Sequence, residues 1–316
     1  MQRLIIKKTL ICGSLAYDNI MVFNGRFREQ ILPEQIHILN VAFLVPEMRR
    51  EFGGCAGNIA FALHSLGGNA EIMATVGEDG IPYLDRLDAQ GLSRQHVRKV
   101  PGTFTAQAFI TTDMDDNQIT AFHPGAMGQA HQNEVGHAEN IGLGIVAPDG
   151  RDAMIEHARQ FAAANIPFIF DPGQGLPMFD GNDLKNFLSL ATYACVNDYE
   201  AQMLCERTGQ TLEQLAENVA ALIVTRGGEG AWIFTGGKRI DIETVQPDAI
   251  IDPTGCGDAF RGGLLFGLAN GYDWQKAGRL ASLMGAIKIA HAGPQNYQVD
   301  FAQVAKRFEA AFGEPL

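Results

Sequence analysis

Two glycines and an aspartate precede an apolar run in the segment DPTGCGDAF, residues 252–260. Glycine adopts backbone conformations that other residues avoid, so Gly255 and Gly257 predict a sharp turn, with a helix beginning at about Asp258. The first amides of a helix lack internal partners and carry the positive end of its dipole. The amides of Gly255, Cys256 and Gly257 could therefore form a nest around one anion.

Asp258 stands directly beside this predicted nest, and its carboxylate could accept a proton from a hydroxyl group held there. Phosphoryl transfer to an alcohol needs an anion site next to a base, because its catalysis is mainly positioning and charge neutralisation. The alternative is that Asp258 only caps the helix. A glycine turn before a helix, taken alone, favours this simpler interpretation.

Polar residues also lie near two other predicted turns. The segment EFGGCAGN, residues 51–58, repeats the glycine turn into a helix, with Gly54 in the turn and Asn58 near the helix start. The segment GSLAYDN contains Ser14 and places Asp18 just past the first predicted strand. A short carboxylate at that position could hold two neighbouring hydroxyl groups of an acceptor.

Two segments that follow buried strands suit a nucleotide with its metal ion. VNDYE ends a strand with Asn197 and Glu200 three residues apart, a spacing suited to holding water around a hydrated magnesium ion. VTRGGEGA follows another strand with Thr225, Gly227 and Gly230, a loop that could approach a nucleotide closely.

Short apolar runs alternate with amphipathic segments along the chain, and this pattern predicts the elements that position these residues. Strands alternating with helices imply an α/β fold whose central, mostly parallel sheet is covered by helices on both faces. In such sheets ligands collect at the carboxyl ends of the strands. The predicted strands are KTLICGS, AEIMATVG, LGIVAP, PFIFDPG, TYACVND and ALIVTRGG, and the predicted helices are AGNIAFALHSLGG, RDAMIEHARQFAAAN, DYEAQMLCERTG and TLEQLAENVA.

Two regions depart from this alternation. In residues 16–51, NIMVFNG and QIHILNVAFLV are predicted strands with no helix between them. Residues 103–123 read as a hairpin that turns at residues 115–117. Together they predict a small antiparallel sheet over the strand ends, in the position of a lid. We therefore expect one domain, residues 1–316, with a lid formed by about 16–51 and 103–123.

The composition excludes several classes of protein. With 316 residues, 46% hydrophobic and 19% charged, the chain is typical of a globular protein. Its formal net charge of −12 argues against a nucleic-acid partner. Five scattered cysteines without a CxxC pair fit reduced thiols. No run is long enough to cross a bilayer, so we expect a cytoplasmic protein that does not bind membranes.

These motifs together resemble the ribokinase-type (PfkB) family of carbohydrate and nucleoside kinases. GGCAGN and DPTGCGDAF match both family signatures in order and spacing, NDYE resembles the N-x-x-E motif, and TRGGEG resembles the strand-end nucleotide loop. The resemblance covers essentially the whole chain. It implies a ribokinase-like α/β fold with a β-sheet lid, a monomer or homodimer, and a phosphotransferase that uses ATP and Mg²⁺. It also admits a monovalent cation such as K⁺, whose carbonyl ligands leave no mark on a sequence.

The resemblance also implies a role for each motif residue. Asp258 is expected to be the catalytic base, with the Gly255, Cys256 and Gly257 amides as anion hole. Alanine is more usual at the Cys256 position, and only the backbone amide is needed there. Arg261 also departs from the family pattern and either reaches a phosphate or forms an ion pair. The expected ATP contacts are Asn197, Thr225, Arg226, Gly227, Gly230, Gly285, His291 and Asn296, with Glu200 near Mg²⁺ through water.

The acceptor is predicted from the lid. FREQILPEQIH, residues 27–37, resembles the lid of adenosine kinases, where a glutamine meets the purine edge, and Gln30 is the matching residue. Gln107 and Phe109 on the hairpin, with Gln174 in DPGQGLP, could complete a base pocket. The closest resemblance is to bacterial adenosine and nucleoside kinases. The predicted acceptor contacts are Asp18, Ser14, Gln30, Gly54, Asn58, Gln107 and Gln174.

Three functions stay open at this level. The first is a kinase that phosphorylates the 5'-hydroxyl of a purine ribonucleoside such as adenosine, inosine or guanosine. The second is a sugar kinase of the same fold, of the ribokinase or fructokinase type. The third is a nucleotide-binding regulator without catalysis. The lid sequence around Gln30 favours the first over the second, and the intact Asp258 segment argues against the third.

Overall fold

A nine-stranded sheet forms the centre of the computed structural model, which describes residues 7–31, 40–115 and 117–316. Its strand order is β13-β12-β11-β10-β9-β8-β1-β4-β5, and all neighbours are parallel except the last two strands in sequence, which pair antiparallel at one edge. The strands are β1 Lys8–Cys12, β4 Ala70–Val76, β5 Ser93–Lys99, β8 Ile141–Val146, β9 Phe168–Phe170, β10 Tyr193–Asn197, β11 Ala221–Thr225, β12 Ala231–Thr235 and β13 Lys238–Ile242.

Helices cover both faces of this sheet and bury two apolar layers against it. One layer joins β1 and β11 to α2, α3, α8, α9 and α10, and the other joins the same strands to α4, α5, α6 and α7. Alternate strand residues enter opposite layers, so Leu10 and Ile11 of β1 belong to different ones. The helices are α1 Phe27–Gln30, α2 Cys55–Ser65, α3 Ile81–Ala89, α4 Arg151–Ala163, α5 Gly181–Leu190, α6 Asp198–Thr208, α7 Leu212–Ala216, α8 Cys256–Ala269, α9 Trp274–Ile289 and α10 Phe301–Phe312.

The predicted strands and helices of the α/β layer all occur, since each lies within or overlaps an element of the same type. Double-sided burial explains why the strands were readable. Every residue of β11 except Thr225 is buried, which a parallel sheet covered on both faces requires. The predicted α/β fold with a central, mostly parallel sheet is thus confirmed.

A second sheet of four strands has the order β3-β2-β6-β7. It consists of β2 Ala16–Val22, β3 Glu47–Gly53, β6 Ala106–Thr112 and β7 Gln118–His123. The hairpin predicted in residues 103–123 is confirmed by the antiparallel pairing of β6 with β7, and Asp116 in its turn lies outside the described residues. The sheet is not wholly antiparallel, because β2 and β6 run parallel.

The strand predicted in residues 35–45 is wrong in its described part. Residues 40–45 form no strand, residues 35–39 lie outside the described ranges, and β3 begins instead at Glu47. The sequence of β3, EMRREFG, is mostly charged because its first four residues are exposed. An exposed edge strand lacks the apolar pattern by which strands are recognised, so its pairing with β2 was not predictable.

Two general features of the sequence can be compared with the structure. All five cysteines are free thiols. Within the described residues, no helix combines the length and apolar character that a membrane crossing requires.

Candidate active site

The segment before α8 makes its turn at Gly255. This residue has φ of 81°, in the left-handed region that favours glycine, and it is the N-cap of the helix. A side chain there would also meet Pro294, whose Cβ would lie 2.7 Å away. The helix begins at Cys256, two residues earlier than predicted, and Gly257 lies inside it with no positive φ. Only Gly255, therefore, is a glycine for conformational reasons.

The amides at the start of α8 are not equivalent. The Cys256 amide donates to the Pro253 carbonyl at 3.1 Å. Within the described part of the chain, the amides of Gly255, Gly257 and Asp258 have no hydrogen-bond partner. These three amides, rather than the predicted set with Cys256, are free to bind an anion at the positive end of the helix dipole. Burial raises the pKa of the Cys256 thiol to about 11, so the thiol stays protonated at neutral pH.

Asp258 does not cap α8, because its carboxylate points to another helix. Its Oδ2 accepts a hydrogen bond from the Asn58 side-chain amide at 2.8 Å. Burial raises the pKa of Asp258 to about 6, while the bond from Asn58 and the charge of Arg261 act against this rise. A carboxyl with a pKa of about 6 is ionised at neutral pH, yet it is a stronger base than an exposed aspartate.

Asn58 is held from both sides by a chain of buried polar groups. Its Oδ1 accepts from Gln295 Nε2 at 3.0 Å, and the same amide group donates to the Tyr83 hydroxyl at 2.9 Å. The Tyr83 hydroxyl in turn donates to the Gly53 carbonyl at 2.6 Å. This chain fixes the orientation of Asn58, so that its NH₂ group faces Asp258.

Asp18 faces the same region from the small sheet. It lies inside β2 rather than in a turn after β1, and it makes no hydrogen bond to any described residue. A side chain at Gly53 would overlap its carboxylate, so the neighbouring strand leaves room for it. Burial, together with the nearby charges of Asp258, Glu51 and Asp252, raises the pKa of Asp18 to about 6. An unpartnered carboxylate beside Asp258 is suited to bind acceptor hydroxyl groups.

Ser14 and Gly54 shape the start of α2. Ser14 Oγ accepts the Cys55 amide at 3.2 Å, so this hydroxyl anchors the helix and retains its own proton for a ligand. Gly54 has φ of 86°, and a side chain there would lie 2.6 Å from the Ala16 amide nitrogen. Only glycine allows this close approach of two backbones, which brings α2 and Asn58 to the strand ends.

Behind these residues lies a buried ion pair. The Arg261 guanidinium donates to both Asp171 oxygens, at 2.5 and 2.6 Å, and to the Gly257 carbonyl at 3.1 Å. Arg261 and Asp171 are only 6% and 2% exposed, which decides between the two roles considered for Arg261 in favour of the ion pair. The pair supports the first turn of α8, and Glu200 lies 4.0 Å from the same guanidinium.

Asn197 and Glu200 form a reciprocal helix cap. Asn197 is the N-cap of α6 and accepts the Glu200 amide at 2.7 Å, while Glu200 accepts the Asn197 backbone and side-chain amides at 2.8 and 2.9 Å. Their spacing of three residues is therefore a capping box. Burial and the nearby Asp171 raise the pKa of Glu200. Each bond uses one lone pair, so the carboxylate can still accept from water.

A groove of about 450 Å³ opens beside the start of α8. Its walls come from the loop after β11, the segment before α8, and one face of α9. Its lining includes six residues that the sequence predicted for the site, together with Ala286 beside Gly285. These residues are Thr225, Gly227, Gly230, Cys256, Gly285 and Ala286, with Gly257 at the junction to Asp258.

Three predicted ATP contacts lie elsewhere. The Arg226 guanidinium pairs with Glu229 and stacks on Trp232, 4.1 Å from the ring centre. His291 is exposed beyond the end of α9, where its Nδ1 lies 3.0 Å from the Ile287 carbonyl. Neither side chain lines the groove.

Asn296 is the third of these residues. Its side chain donates to Glu51 of β3 at 2.8 Å and follows Gln295, which holds Asn58. The residue therefore lies on the side of Asp18 and Asn58, and its ATP contact stays a prediction that these hydrogen bonds do not support.

Gln107 of the predicted base pocket faces away from Asp18. Tyr17 pairs with Gln107 and Asp18 with Ala108, so Gln107 lies on the opposite sheet face from Asp18. Its side chain bonds Asn19 and Asp79 at 3.2 and 3.0 Å. Phe109 shares that face, two residues further along β6. The acceptor contacts at Gln107 and Phe109 stay predictions, and this placement does not support them.

Gln30 and Gln174 are both exposed. Gln30 ends α1 directly before the undescribed residues 32–39, so its predicted purine contact stays a prediction. Gln174 lies in a 3₁₀ turn after β9, at the carboxyl ends of the strands, and it too remains a prediction.

Sequence analysis missed four residues of this region. Asp171 follows directly after the FIF strand, a place where acidic residues often serve a site, but nothing in the sequence linked it to Arg261. Nothing in the sequence pointed to Tyr83 or Gln295, since they act only through Asn58. The sequence did mark Lys288, because this lysine interrupts the apolar face of α9, and in the structure it is completely buried.

Comparisons with known proteins identify the family of this chain. The family model described as pfkB family carbohydrate kinase matches residues 19–300. A nucleoside kinase of Methanocaldococcus jannaschii is 30% identical over 310 residues, which are 96% of this chain and 97% of that protein.

Solved structures are similar over nearly the same length. The structure of Burkholderia thailandensis nucleoside kinase in complex with inosine is 59% identical, with a TM-score of 0.89, and covers 97% of this chain and 99% of its own. The Methanocaldococcus jannaschii nucleoside kinase structure is 28% identical, with a TM-score of 0.88, and covers 96% and 98%. The chain belongs to the pfkB family of carbohydrate kinases, and it is a phosphotransferase that acts on a hydroxyl group.

Proposed function

We propose that this chain is an ATP-dependent nucleoside kinase that transfers the γ-phosphoryl group to the 5'-hydroxyl of a purine ribonucleoside. One observation carries the proposal. Asp258 lies at a helix start with three unpartnered amides, its own included, next to a groove of about 450 Å³ and near enough to the unpartnered Asp18 carboxylate for the two charges to interact. A donor groove and a hydroxyl-binding carboxylate that meet at a base are the arrangement that phosphoryl transfer to an alcohol requires.

Each residue has one step in this mechanism. Asp18 binds the vicinal hydroxyls of the ribose and so directs the 5'-hydroxyl to Asp258. Asp258 accepts the hydroxyl proton as the oxygen attacks, and Asn58 keeps its carboxylate oriented. The amides of Gly255, Gly257 and Asp258 stabilise the negative charge on the transferred group. Thr225, Gly227 and Gly285 line the groove that would receive ATP.

Magnesium fits this site only through its water ligands. Both Glu200 oxygens already accept hydrogen bonds from Asn197, and Arg261 lies 4.0 Å away, so direct coordination has little support. Within the described ranges, no group of three metal-binding side chains is assembled. Glu200 and Asn197 would hold the waters of an Mg²⁺ that arrives with ATP and neutralises the phosphate charge.

The acceptor class rests on similarity and on the acceptor-side carboxylate. The solved relative at 59% identity has inosine bound, and a second structure of it, at 60% identity, is a complex with ADP-inosine. We propose that the small sheet acts as a lid over this acceptor, because it carries Asp18 and projects as a separate sheet from the main one. The five free thiols fit a reducing compartment such as the cytoplasm.

Phosphorylation of a panel of acceptors tests this function. The purified protein is incubated with Mg-ATP and adenosine, inosine, guanosine, ribose or fructose, and the product is identified by mass. We expect a nucleoside 5'-monophosphate, and the Asp258→Asn variant serves as the control for contaminating kinases. Turnover of ribose or fructose alone would favour the sugar kinase, and ATP binding without turnover of any acceptor would favour a regulator.

A further inference from the structure

Lys288 is a completely buried cation beside the active-site loop. Its exposed fraction is 0%, although it lies near the end of α9. Its Nζ donates to the Asp252 carbonyl at 2.7 Å and to the His291 carbonyl at 3.2 Å, and Asp252 Oδ1 is 4.0 Å away. A lysine is almost never fully buried without partners, because desolvation of its ammonium is costly. Here the partners are two backbone carbonyls and a carboxylate.

These partners tie together two loops that meet at the site. The Asp252 carboxylate accepts the Thr254 amide at 2.9 Å and the Gly293 amide at 2.8 Å. These two bonds join the segment that leads to Gly255 to the segment after α9. Lys288 adds a second link, because it donates to one carbonyl in each segment. Burial would raise the pKa of Asp252, but the two amides and Lys288 hold it below its usual value, so its charge balances the ammonium.

The chemistry of this junction is that of a monovalent cation site. Backbone carbonyls with a single carboxylate are ligands for K⁺, which they bind in place of its hydration shell. In this chain the Lys288 ammonium already donates to both carbonyls and lies 4.0 Å from the carboxylate. The monovalent cation that the family resemblance admits therefore does not fit at this junction.

We propose that the Lys288 ammonium replaces a monovalent cation in this protein. As a positioning residue, it holds the loop of residues 252–257 so that the free amides at the start of α8 face the phosphoryl group. Phosphoryl transfer consequently needs neither K⁺ nor Na⁺. The proposal rests on the proposed kinase function. It concerns how the activity responds to monovalent cations and does not depend on which acceptor is phosphorylated.

The first test uses the unmodified protein. Turnover of inosine with Mg-ATP is compared in K⁺, Na⁺ and tetramethylammonium chloride at equal ionic strength. We expect kcat values within about twofold of one another, whereas stimulation by K⁺ of about tenfold or more would overturn the proposal. If no acceptor is turned over in any salt, the proposed function fails. In that case the affinity for ADP is measured in the same salts. Equal affinities would support the proposal that Lys288 replaces a monovalent cation, and a higher affinity in K⁺ would contradict it.

The second test removes the ammonium and supplies one from solution. Lys288→Met keeps the length of the side chain but leaves the carbonyls without a cation. We expect kcat in tetramethylammonium chloride to fall by about tenfold or more, and NH₄⁺ or K⁺ to restore most of it. The matched control is Lys276→Met, which removes an ammonium from the first turns of the same helix, and its activity should show no dependence on the salt.

Rescue separates a positioning cation from a merely structural one. A folded Lys288→Met variant whose lost activity no small cation restores would overturn the proposal, because a packing defect does not respond to ion identity. Should the variant be too unstable to assay, its melting temperature is compared in K⁺ and tetramethylammonium. Stabilisation specific to K⁺ or NH₄⁺ supports the proposal, and equal melting in all salts contradicts it.

Discussion

The side-chain amide of Asn58 donates a hydrogen bond of 2.8 Å to the carboxylate of Asp258, across 200 positions of sequence. The bond joins the first turns of α2 and α8, so the residue at the acceptor side and the proposed base are held as one unit. It also gives Asn58 an electrostatic role, because a donor to the charged form of a carboxyl lowers its pKa.

This bond predicts the pH dependence of catalysis. The pKa of Asp258 is raised to about 6, so its base form predominates above pH 6 and is lost as the pH falls through that value. We expect kcat/KM to decline below about pH 6. In Asn58→Leu the donor is gone and the pKa of Asp258 should rise, which moves the decline to higher pH. If kcat/KM of the variant declines at the same pH as that of the unmodified enzyme, or at a lower pH, the role given to Asn58 is contradicted.

Asp18 should discriminate ribose from deoxyribose. If its carboxylate binds two vicinal hydroxyls, Asp18→Ala removes charged hydrogen bonds worth about 1.5–3 kcal/mol each. We therefore expect a severe loss of kcat/KM with ribonucleosides, and little further loss with 2'-deoxyribonucleosides, which should already be poor substrates. Initial rates with inosine and 2'-deoxyinosine measure both effects. Equal efficiency of the unmodified enzyme on the two would show that Asp18 is wrongly assigned.

The motif positions were predictable because each follows a buried strand. A parallel sheet brings the carboxyl ends of its strands to one edge, so Ser14, Asn197 and Thr225 had to lie along the same edge of the sheet. The local glycine turns before α2 and α8 were also readable, since Gly54 and Gly255 have positive φ.

Side-chain partners were not predictable, because they depend on packing between distant segments. A shift of one residue in the pairing of β6 with β2 would move Gln107 to the other face of the sheet. The sequence pattern alone does not reveal this pairing register. The resemblance implies an ATP contact for Asn296, but only the folded structure shows that its side chain donates to Glu51 of β3. Lys288 and Asp171 likewise acquire their roles only from loops that lie far away in sequence.

Gly54 allows a matched test of the close backbone approach at α2. Gly54 and Gly67 have φ of 86° and 85°, but a side chain at Gly67 meets no atom within 4 Å. Gly67→Ala should therefore lose only about 1 kcal/mol of unfolding free energy and keep its activity. Gly54→Ala adds a clash with the backbone of β2 and should lose more than about 2 kcal/mol, with reduced kcat. Denaturant unfolding gives the stability of both variants, and turnover assays give their kcat. Equal losses in the two variants would mean that the backbones of α2 and β2 do not approach each other closely at Gly54.

Closure of the small sheet predicts protection from hydrogen exchange. If the sheet covers the acceptor, amide exchange should slow in β2, β3, β6 and β7 when nucleoside binds without ATP. The antiparallel edge of the main sheet, residues 231–242, belongs to the other sheet and serves as the internal control. Unchanged exchange in the small sheet, with protection confined to the main sheet, would argue against a lid.

The most direct test of the mechanism is the Asp258→Asn variant. Asparagine is nearly isosteric and can still accept from Asn58 through its side-chain oxygen, but it cannot take a proton from the acceptor. We predict that kcat falls by roughly 10²–10⁴-fold, while the dissociation constants for nucleoside and ATP, measured separately by calorimetry, change little. A kcat within a few-fold of the unmodified enzyme would mean that Asp258 is not the base.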